Sequence, residues 1–349
     1  MFDNKYWQLV MSPFSLLYKW VTQFRNHLYN IGSKTSFEFE TKVFSVGNLS
    51  VGGTGKTPMV EYICRHLLQL GYAGKTTVLS RGYGRKTKGF RLAEETDTAL
   101  TLGDEPYQIY NKFTPEVRVA VGEERVLAIP TIIYEHPENE VIILDDAFQH
   151  RSVKPDLSIV LSDYQHPFYK DYVLPSGRLR ESRKGIDRAD ALVITKCPLN
   201  LSREEQEEIR QSASKYFLNK PVYFAGISYQ NAFSPFIERK IKKEIAVVTG
   251  IAHAAPFIDF LQKEYTVVKH FKYSDHHFFS STEIEEISLF AQQKGLDVIT
   301  TEKDWVKLSN HELFDSSLKN NLFYMPMMVQ FLEQEKSFQQ LLEESLKDK

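Results

Sequence analysis

The stretch KVFSVGNLSVGGTGKTP, residues 42–58, decides how the rest of the chain is read. It opens as an apolar strand, Val43-Phe44-Ser45-Val46, and turns through Gly47-Asn48. It then runs into Gly52-Gly53-Thr54-Gly55-Lys56-Thr57. Pro58 follows where a helix can begin, because a missing N–H costs nothing in the first turn. Over residues 59–68 the apolar side chains recur at helical spacing. Strand, glycine loop and helix in that order lay backbone N–H groups against a phosphate at a helix N-terminus. Lys56 then reaches the outer phosphates, and the Thr57 hydroxyl suits Mg²⁺. Gly52, Gly53, Thr54, Gly55, Lys56 and Thr57 are therefore the candidate nucleotide-binding residues. The spacing departs from the P-loop pattern at Ser50, where a glycine is asked for. Val51 stands where a variant subgroup carries a second lysine. A chance Gly-Lys-Thr in a glycine-rich turn is the competing reading, and the strand before and helix after disfavour it.

The bulk numbers fit a soluble globular chain: 349 residues, 42% hydrophobic and 25% charged, long enough for two domains. A net charge of -2 leaves no electrostatic footprint for nucleic acid. Cys64 and Cys197 lack metal-ligand spacing and read as two buried thiols in a reducing compartment. No cleavable signal peptide is expected, since Asp3 and Lys5 precede an interrupted apolar run without a small-residue cleavage site. No run is long enough to span a bilayer.

Outward from the opening stretch, residues 6–29 are rich in aromatic and aliphatic side chains, with Pro13 expected to break them into two pieces. Two readings stand open: a helix lying in a bilayer interface, or one packed on the protein's own core. Residues 76–80 form a strand, and Arg81-Gly82-Tyr83-Gly84-Arg85 after it suits an anion. Gly74-Lys75-Thr76-Thr77 imitates a second phosphate loop but precedes a strand. In Gly103-Asp104-Glu105-Pro106 the acids read as helix caps. Val141-Ile142-Ile143-Leu144-Asp145-Asp146 is a buried strand ending in acids, the way a Walker B element offers carboxylate to Mg²⁺. His150, just beyond, reads equally as a ligand-binding group or a surface histidine. Strands follow at 157–161 and 191–195, with a basic loop at 174–181 between them. Further strands are expected at 222–227, 245–249, 266–273, 296–300 and 322–329, and a last helix at 331–346. This alternation argues for an α/β fold with parallel sheets covered by helices.

The motifs, in order, resemble the tetraacyldisaccharide 4'-kinase (lipid A 4'-kinase) family. They are residues 46–58, Ser80-Arg81-Gly82-Tyr83-Gly84-Arg85, Gly103-Asp104-Glu105-Pro106, Asp145-Asp146-Ala147-Phe148-Gln149-His150, residues 174–181, Gly250-Ile251-Ala252, Asp275-His276 and Thr301-Glu302-Lys303-Asp304. The resemblance implies transfer of the ATP γ-phosphate to the 4'-hydroxyl of a tetraacyldisaccharide 1-phosphate. It implies a peripheral protein, expected to be a monomer, at the cytoplasmic face of the inner membrane. The expected parts are an amphipathic helical segment at 1–30, a P-loop kinase domain at 31–220 with helices on both faces of its sheet, a smaller α/β/α domain at 221–330, and a helix at 331–349 packing back on the first domain. Asp104 then becomes the catalytic base and His276, in preference to His277, its partner, with Lys56 acting on the phosphates. Thr57, Asp145, Asp146 and Glu105 become the metal set. Asn48, Arg81, Gln149, His150 and Arg180 become contacts to the sugar or its phosphate. The N-terminal segment gains a membrane to rest on. Ala147 stands where the family usually has glycine, which leaves that turn's geometry open. The alternatives are another P-loop enzyme, such as a synthase or a GTPase metallochaperone, and a nucleotide-gated membrane adaptor.

Overall fold

The computed structural model describes residues 2 and 4–347. Residues 1, 3, 348 and 349, at the ends of the two expected terminal segments, lie outside the described residues. In chain order the strands are β1 (Lys42–Asn48), β2 (Thr76–Ser80), β3 (Arg91–Leu92), β4 (Val117–Val121), β5 (Val141–Asp145), β6 (Leu157–Asp163), β7 (Ala191–Thr195), β8 (Val222–Tyr229), β9 (Glu244–Thr249), β10 (Thr266–Lys272), β11 (Asp297–Thr301), β12 (Leu322–Met325) and β13 (Met327–Phe331). The helices are α1 (Lys5–Asn30), α2 (Lys56–Gln69), α3 (Ala99–Leu102), α4 (Asp104–Phe113), α5 (Arg125–Glu135), α6 (Arg203–Ser214), α7 (Ala255–Glu264), α8 (Ser281–Lys294), α9 (Glu302–Ser309) and α10 (Glu335–Lys347).

The strands form two sheets, ordered β13-β8-β7-β6-β1-β5-β2-β4-β3 and β10-β9-β11-β12. Only the edge strands β3 and β13 run antiparallel to their neighbours. Parallel sheets are covered on both faces, so their strands are apolar throughout. In β1 and β5 successive side chains point to opposite sides. Phe44, Val46, Val141 and Ile143 pack under α2 and α10, while Val43, Ile142 and Leu144 pack under α5. The small sheet is likewise sandwiched, with Phe257 and Leu261 of α7 on one face and Ile284, Ile287 and Ala291 of α8 on the other.

Three local expectations change. The single strand expected at 322–329 is two strands in different sheets. Pro326 lies between them, and a residue without an N–H cannot continue a ladder. The strand at 222–227, placed with the second unit, pairs with β7 in the large sheet, where Tyr223 and Ala225 share a core with Phe331 and Phe338. The chain therefore leaves the large sheet after β8, builds the small one, and returns as β13. Pro13 does not split the N-terminal segment. Its ring deprives the Leu9 carbonyl of a helical partner, and the Ser12 hydroxyl donates to that oxygen at 2.8 Å instead.

Helix α1 is amphipathic with its faces reversed. Its polar stripe meets the protein: Trp7 Nε1 donates to the Pro175 carbonyl, Ser15 to Val173 and Ser176, and Asn26 to Glu181 at 2.7 Å. Its apolar stripe faces out, with Leu9 73%, Leu16 66% and Trp20 64% exposed. A helix held by a hydrophobic core would show the opposite pattern. Among the described residues no helix is long and apolar enough to cross a membrane.

Helix α10 closes the large sheet through Phe338, which is fully buried among Tyr62, Tyr223 and Phe331 with ring centroids 4.7–5.9 Å away. Replacing Phe338 with Ala is expected to destabilise the fold by about 3–5 kcal/mol. Lys336→Ala, on the exposed side of the same helix, should change it by under about 0.5 kcal/mol. Denaturant midpoints of the two variants check both values.

Candidate active site

Strand β1 lies between β5 and β6, and its register sets Val46 beside Asp145. Ligands of open α/β sheets sit beyond the carboxyl ends of such strands. Here β1 passes into the glycine loop and the loop into α2, whose N-cap is Gly55 at φ 84°. Gly47 is required by space, since a Cβ there would lie 2.6 Å from the Phe148 Cβ. The loop is braced from below and from the side. Asn48 Nδ2 donates to Thr54 Oγ1 at 2.8 Å, and the Thr195 hydroxyl at the end of β7 donates to the Thr54 carbonyl at 2.8 Å. The 174–181 loop runs alongside, with Val51 N–H bonded to Arg178 O and Arg180 N–H to Leu49 O.

Asp145 and Asp146 end β5 but face different partners. Asp146 takes a left-handed backbone at φ 52°, a conformation that aspartate tolerates. Ala147 is not the left-handed residue of this turn, so its Cβ meets no backbone penalty. The Arg180 guanidinium donates to both Asp146 oxygens at 2.9 and 3.2 Å, and Lys56 Nζ lies 3.7 Å away. Burial works against this carboxylate, but Lys56 and Arg180 outweigh it and hold it below the usual range. Asp145 is buried, accepts from Ser80 on Oδ2, and among the described residues has no partner on Oδ1. Burial, then Glu105 and Asp146, push its carboxyl up. An orphaned buried carboxylate oxygen next to like charge is what a divalent cation would relieve. Among the described residues no three acidic, histidine or cysteine groups gather closely enough to hold an ion unaided. The expected set of Thr57, Asp145, Asp146 and Glu105 is therefore not a closed cage, and a cation there would need oxygens from phosphate and water, as Mg²⁺ commonly does.

Across the cleft, Gly103 (φ 96°) packs on the Gly82–Tyr83 backbone and starts α4 at Asp104. Asp104 is buried, and its Oδ2 lies 3.0 Å from His276 Nδ1 and 3.1 Å from Lys307 Nζ. Lys303 Nζ stands 3.2 Å from His276 Nε2. An ammonium only donates, so Nε2 accepts and Nδ1–H is the group that donates to Asp104. Burial raises the Asp104 carboxyl, yet His276, Lys307 and Lys303 together hold it below its ordinary range. His277 instead meets Glu283 at 3.0 Å and stacks on Tyr273. A second ionic link joins the sheets: Lys112 of α4 bridges Glu61 of α2 and Glu302 of α9, at 2.7 Å each.

The five expected sugar or phosphate contacts divide. Arg81 is exposed and His150 half-buried, and neither side chain hydrogen-bonds among the described residues. Burial, with Arg125, Arg81 and Arg25, pushes His150 down to about 4, so it is neutral at pH 7. Gln149 donates to the Asn48 carbonyl at 2.8 Å and accepts from Arg180. Asn48 is fully buried and braces the loop through Nδ2, while among the described residues its Oδ1 has no hydrogen-bond partner. Arg85, flanking the same glycine turn as Arg81, is locked onto Glu123 at 2.6 Å. Sequence reasoning missed Lys307 and Arg125. Arg125 is a buried guanidinium bonded to the Gly122 carbonyl beside Asp145. Each is an ordinary helix residue by local pattern, and no signal in the sequence marks either as buried.

A family model described as Tetraacyldisaccharide-1-P 4'-kinase matches residues 7–347. The chain is 42% identical over 334 residues to the tetraacyldisaccharide 4'-kinase of Flavobacterium johnsoniae, covering 94% of each chain. It is 38% identical to that of Cytophaga hutchinsonii, covering 92% of this chain and 91% of the relative. Among solved structures it is similar to LpxK from Aquifex aeolicus in complex with ATP. That likeness has a TM-score of 0.77 and 31% identity, covering 97% of this chain and 99% of the other. The glycine loop, the paired acids and the Asp104–His276 contact thus occur in a chain that, by this match over nearly its whole length, belongs to the tetraacyldisaccharide-1-P 4'-kinase family.

Proposed function

We propose that the protein transfers the γ-phosphate of ATP to the 4'-hydroxyl of a tetraacyldisaccharide 1-phosphate, in lipid A biosynthesis. The observation that supports this reading most is Asp104 paired with His276 at 3.0 Å, two residues 172 positions apart, in a chain that also carries a nucleotide-phosphate loop. A purely nucleotide-gated adaptor needs no such base. Backbone N–H groups of residues 52–57 and Lys56 take the nucleotide phosphates. Asp104 removes the proton of the sugar hydroxyl, a poor nucleophile, while His276 holds the carboxylate. Thr57 and Asp145, with Asp146 and Glu105 nearby, would hold Mg²⁺, which when bound offsets phosphate charge. Arg81, with Gln149, His150 and Arg180, receives the acceptor's sugar and phosphate. His276, Lys303 and Lys307 come from the part of the chain that carries the small sheet, so the site around Asp104 is whole only while that part is held against the large sheet.

A substrate with four acyl chains stays in its bilayer, and the outward apolar stripe of α1 lies along the same side of the protein as the 174–181 loop. In this reading the protein works as a monomer at the cytoplasmic face of the inner membrane, resting on α1.

Two measurements test the proposal. Asp104→Asn should still bind ATP but lose about 10²–10⁴-fold in turnover with ATP, Mg²⁺ and the disaccharide 1-phosphate in detergent. Absence of bisphosphate product from well-folded wild-type protein would sink the reading. Leu9→Glu/Leu16→Glu/Trp20→Glu should abolish co-sedimentation with lipid vesicles while leaving the melting temperature within a few degrees. Unchanged sedimentation would remove the membrane role of α1.

A further inference from the structure

We infer that Lys307 is a positioning residue for phosphate transfer: its buried ammonium, reaching from α9, fixes which oxygen of Asp104 faces the acceptor hydroxyl. The inference rests on the reading of Asp104 as the base.

Lys307 lies in the last turn of α9, and its side chain is 3% exposed. Its Nζ lies 3.1 Å from Asp104 Oδ2 and 3.8 Å from Asp304 Oδ1, an ammonium set between two buried carboxylates. Asp304 is itself held. Its Oδ2 accepts from the Gly250 N–H at 2.8 Å and from the Thr301 hydroxyl at 2.8 Å. Lys307 is thus braced from its own helix while it reaches across to α4. A solvated lysine would be free to leave; this one is buried, and burial of an ammonium is tolerated only where carboxylate meets it.

The consequence lies in the two oxygens of Asp104. His276 and Lys307 both converge on Oδ2. Among the described residues no hydrogen bond reaches Oδ1. One carboxylate oxygen is therefore committed to the second part of the chain, and the other is left for the hydroxyl. With His276 alone the carboxylate could rotate about χ2 and exchange its oxygens, because one hydrogen bond does not fix a two-fold rotor. A second, ionic contact on the same oxygen, from a buried stem, opposes that exchange. The other charged groups near the pair are Glu105 on α4, Asp275 before α8, and Lys303 on α9. Lys303 is engaged with Asp275 at 3.0 Å and with His276. Neither bond duplicates the Lys307 contact.

The experiment compares Lys307→Met, Lys307→Arg, Asp104→Asn and the Asp104→Asn/Lys307→Met double variant, using ATP and the disaccharide 1-phosphate in detergent. Lys307→Met is expected to lower kcat by about 10–100-fold, the range for a misplaced reacting group. KM for ATP should stay within about two-fold, because ATP is held by the glycine loop. Lys307→Arg should recover part of the kcat. The double variant should be no slower than Asp104→Asn, since the lysine acts through the aspartate. A kcat for Lys307→Met within two-fold of wild type, an equal loss in ATP binding, or additive losses in the double variant would overturn the inference. Should Lys307→Met fail to fold, Lys307→Gln is judged by the same criteria. If Asp104→Asn keeps full turnover, the base reading falls and Lys307 falls with it. If Asp104→Asn is slow and Lys307→Met is fast, only the inference about Lys307 falls.

Discussion

The register of β1 against β5 is the constraint from which the site follows. All seven residues of β1 are buried at the centre of the large sheet, so the strand cannot slide or turn over without exchanging the side chains fitted to its two packed faces. Fixing Val46 beside Asp145 brings the glycine loop and the acid pair to the same edge. Neighbouring strands then add their own ends: Ser80 from β2 bonds Asp145, and Thr195 from β7 bonds the loop. The parts are rigid because each is the end of a strand whose body is packed on both faces.

What this sheet does not supply comes from the other one. The large sheet offers acids and a phosphate loop, while His276 and Lys307 arrive with the small sheet to meet Asp104, and Lys303 backs His276. The Glu61–Lys112–Glu302 bridge runs parallel to that contact and ties the loop helix α2 to α9. Two separate ionic links therefore hold the two sheets in one arrangement. The carboxylates of both, Asp104, Glu61 and Glu302, are buried, where a carboxylate without its cation would be costly. The return of the chain as β13 and α10 adds an apolar anchor, so the small sheet is tethered to the large one by two strands, β8 and β13.

Helix α1 shows how a local pattern and its use can separate. Its sequence is amphipathic, and an amphipathic helix usually turns its apolar side inward. Here Ser15, Asn26 and the Trp7 indole spend their hydrogen bonds on the 173–181 segment, and that choice leaves Leu9, Leu16 and Trp20 outside.

The α/β alternation, the glycine loop, the acid-ended strand and the proline-started α4 were legible from residue order alone. Each is a local feature: glycines mark left-handed backbone, apolar runs mark buried strands, and Pro marks a first turn. Three local readings changed: Pro13 is tolerated because Ser12 serves the freed carbonyl, Pro326 passes the chain from one sheet to another, and β8 pairs with β7 in the large sheet. The family resemblance already favoured His276 over His277 as the partner of Asp104; only the tertiary structure decided that Lys307 joins them, that Asn48 is buried beneath the loop, and which face of α1 looks outward. Periodicity reveals that a helix has two faces but carries no information about what each will meet. An ion pair between residues some two hundred positions apart leaves no trace in either neighbourhood.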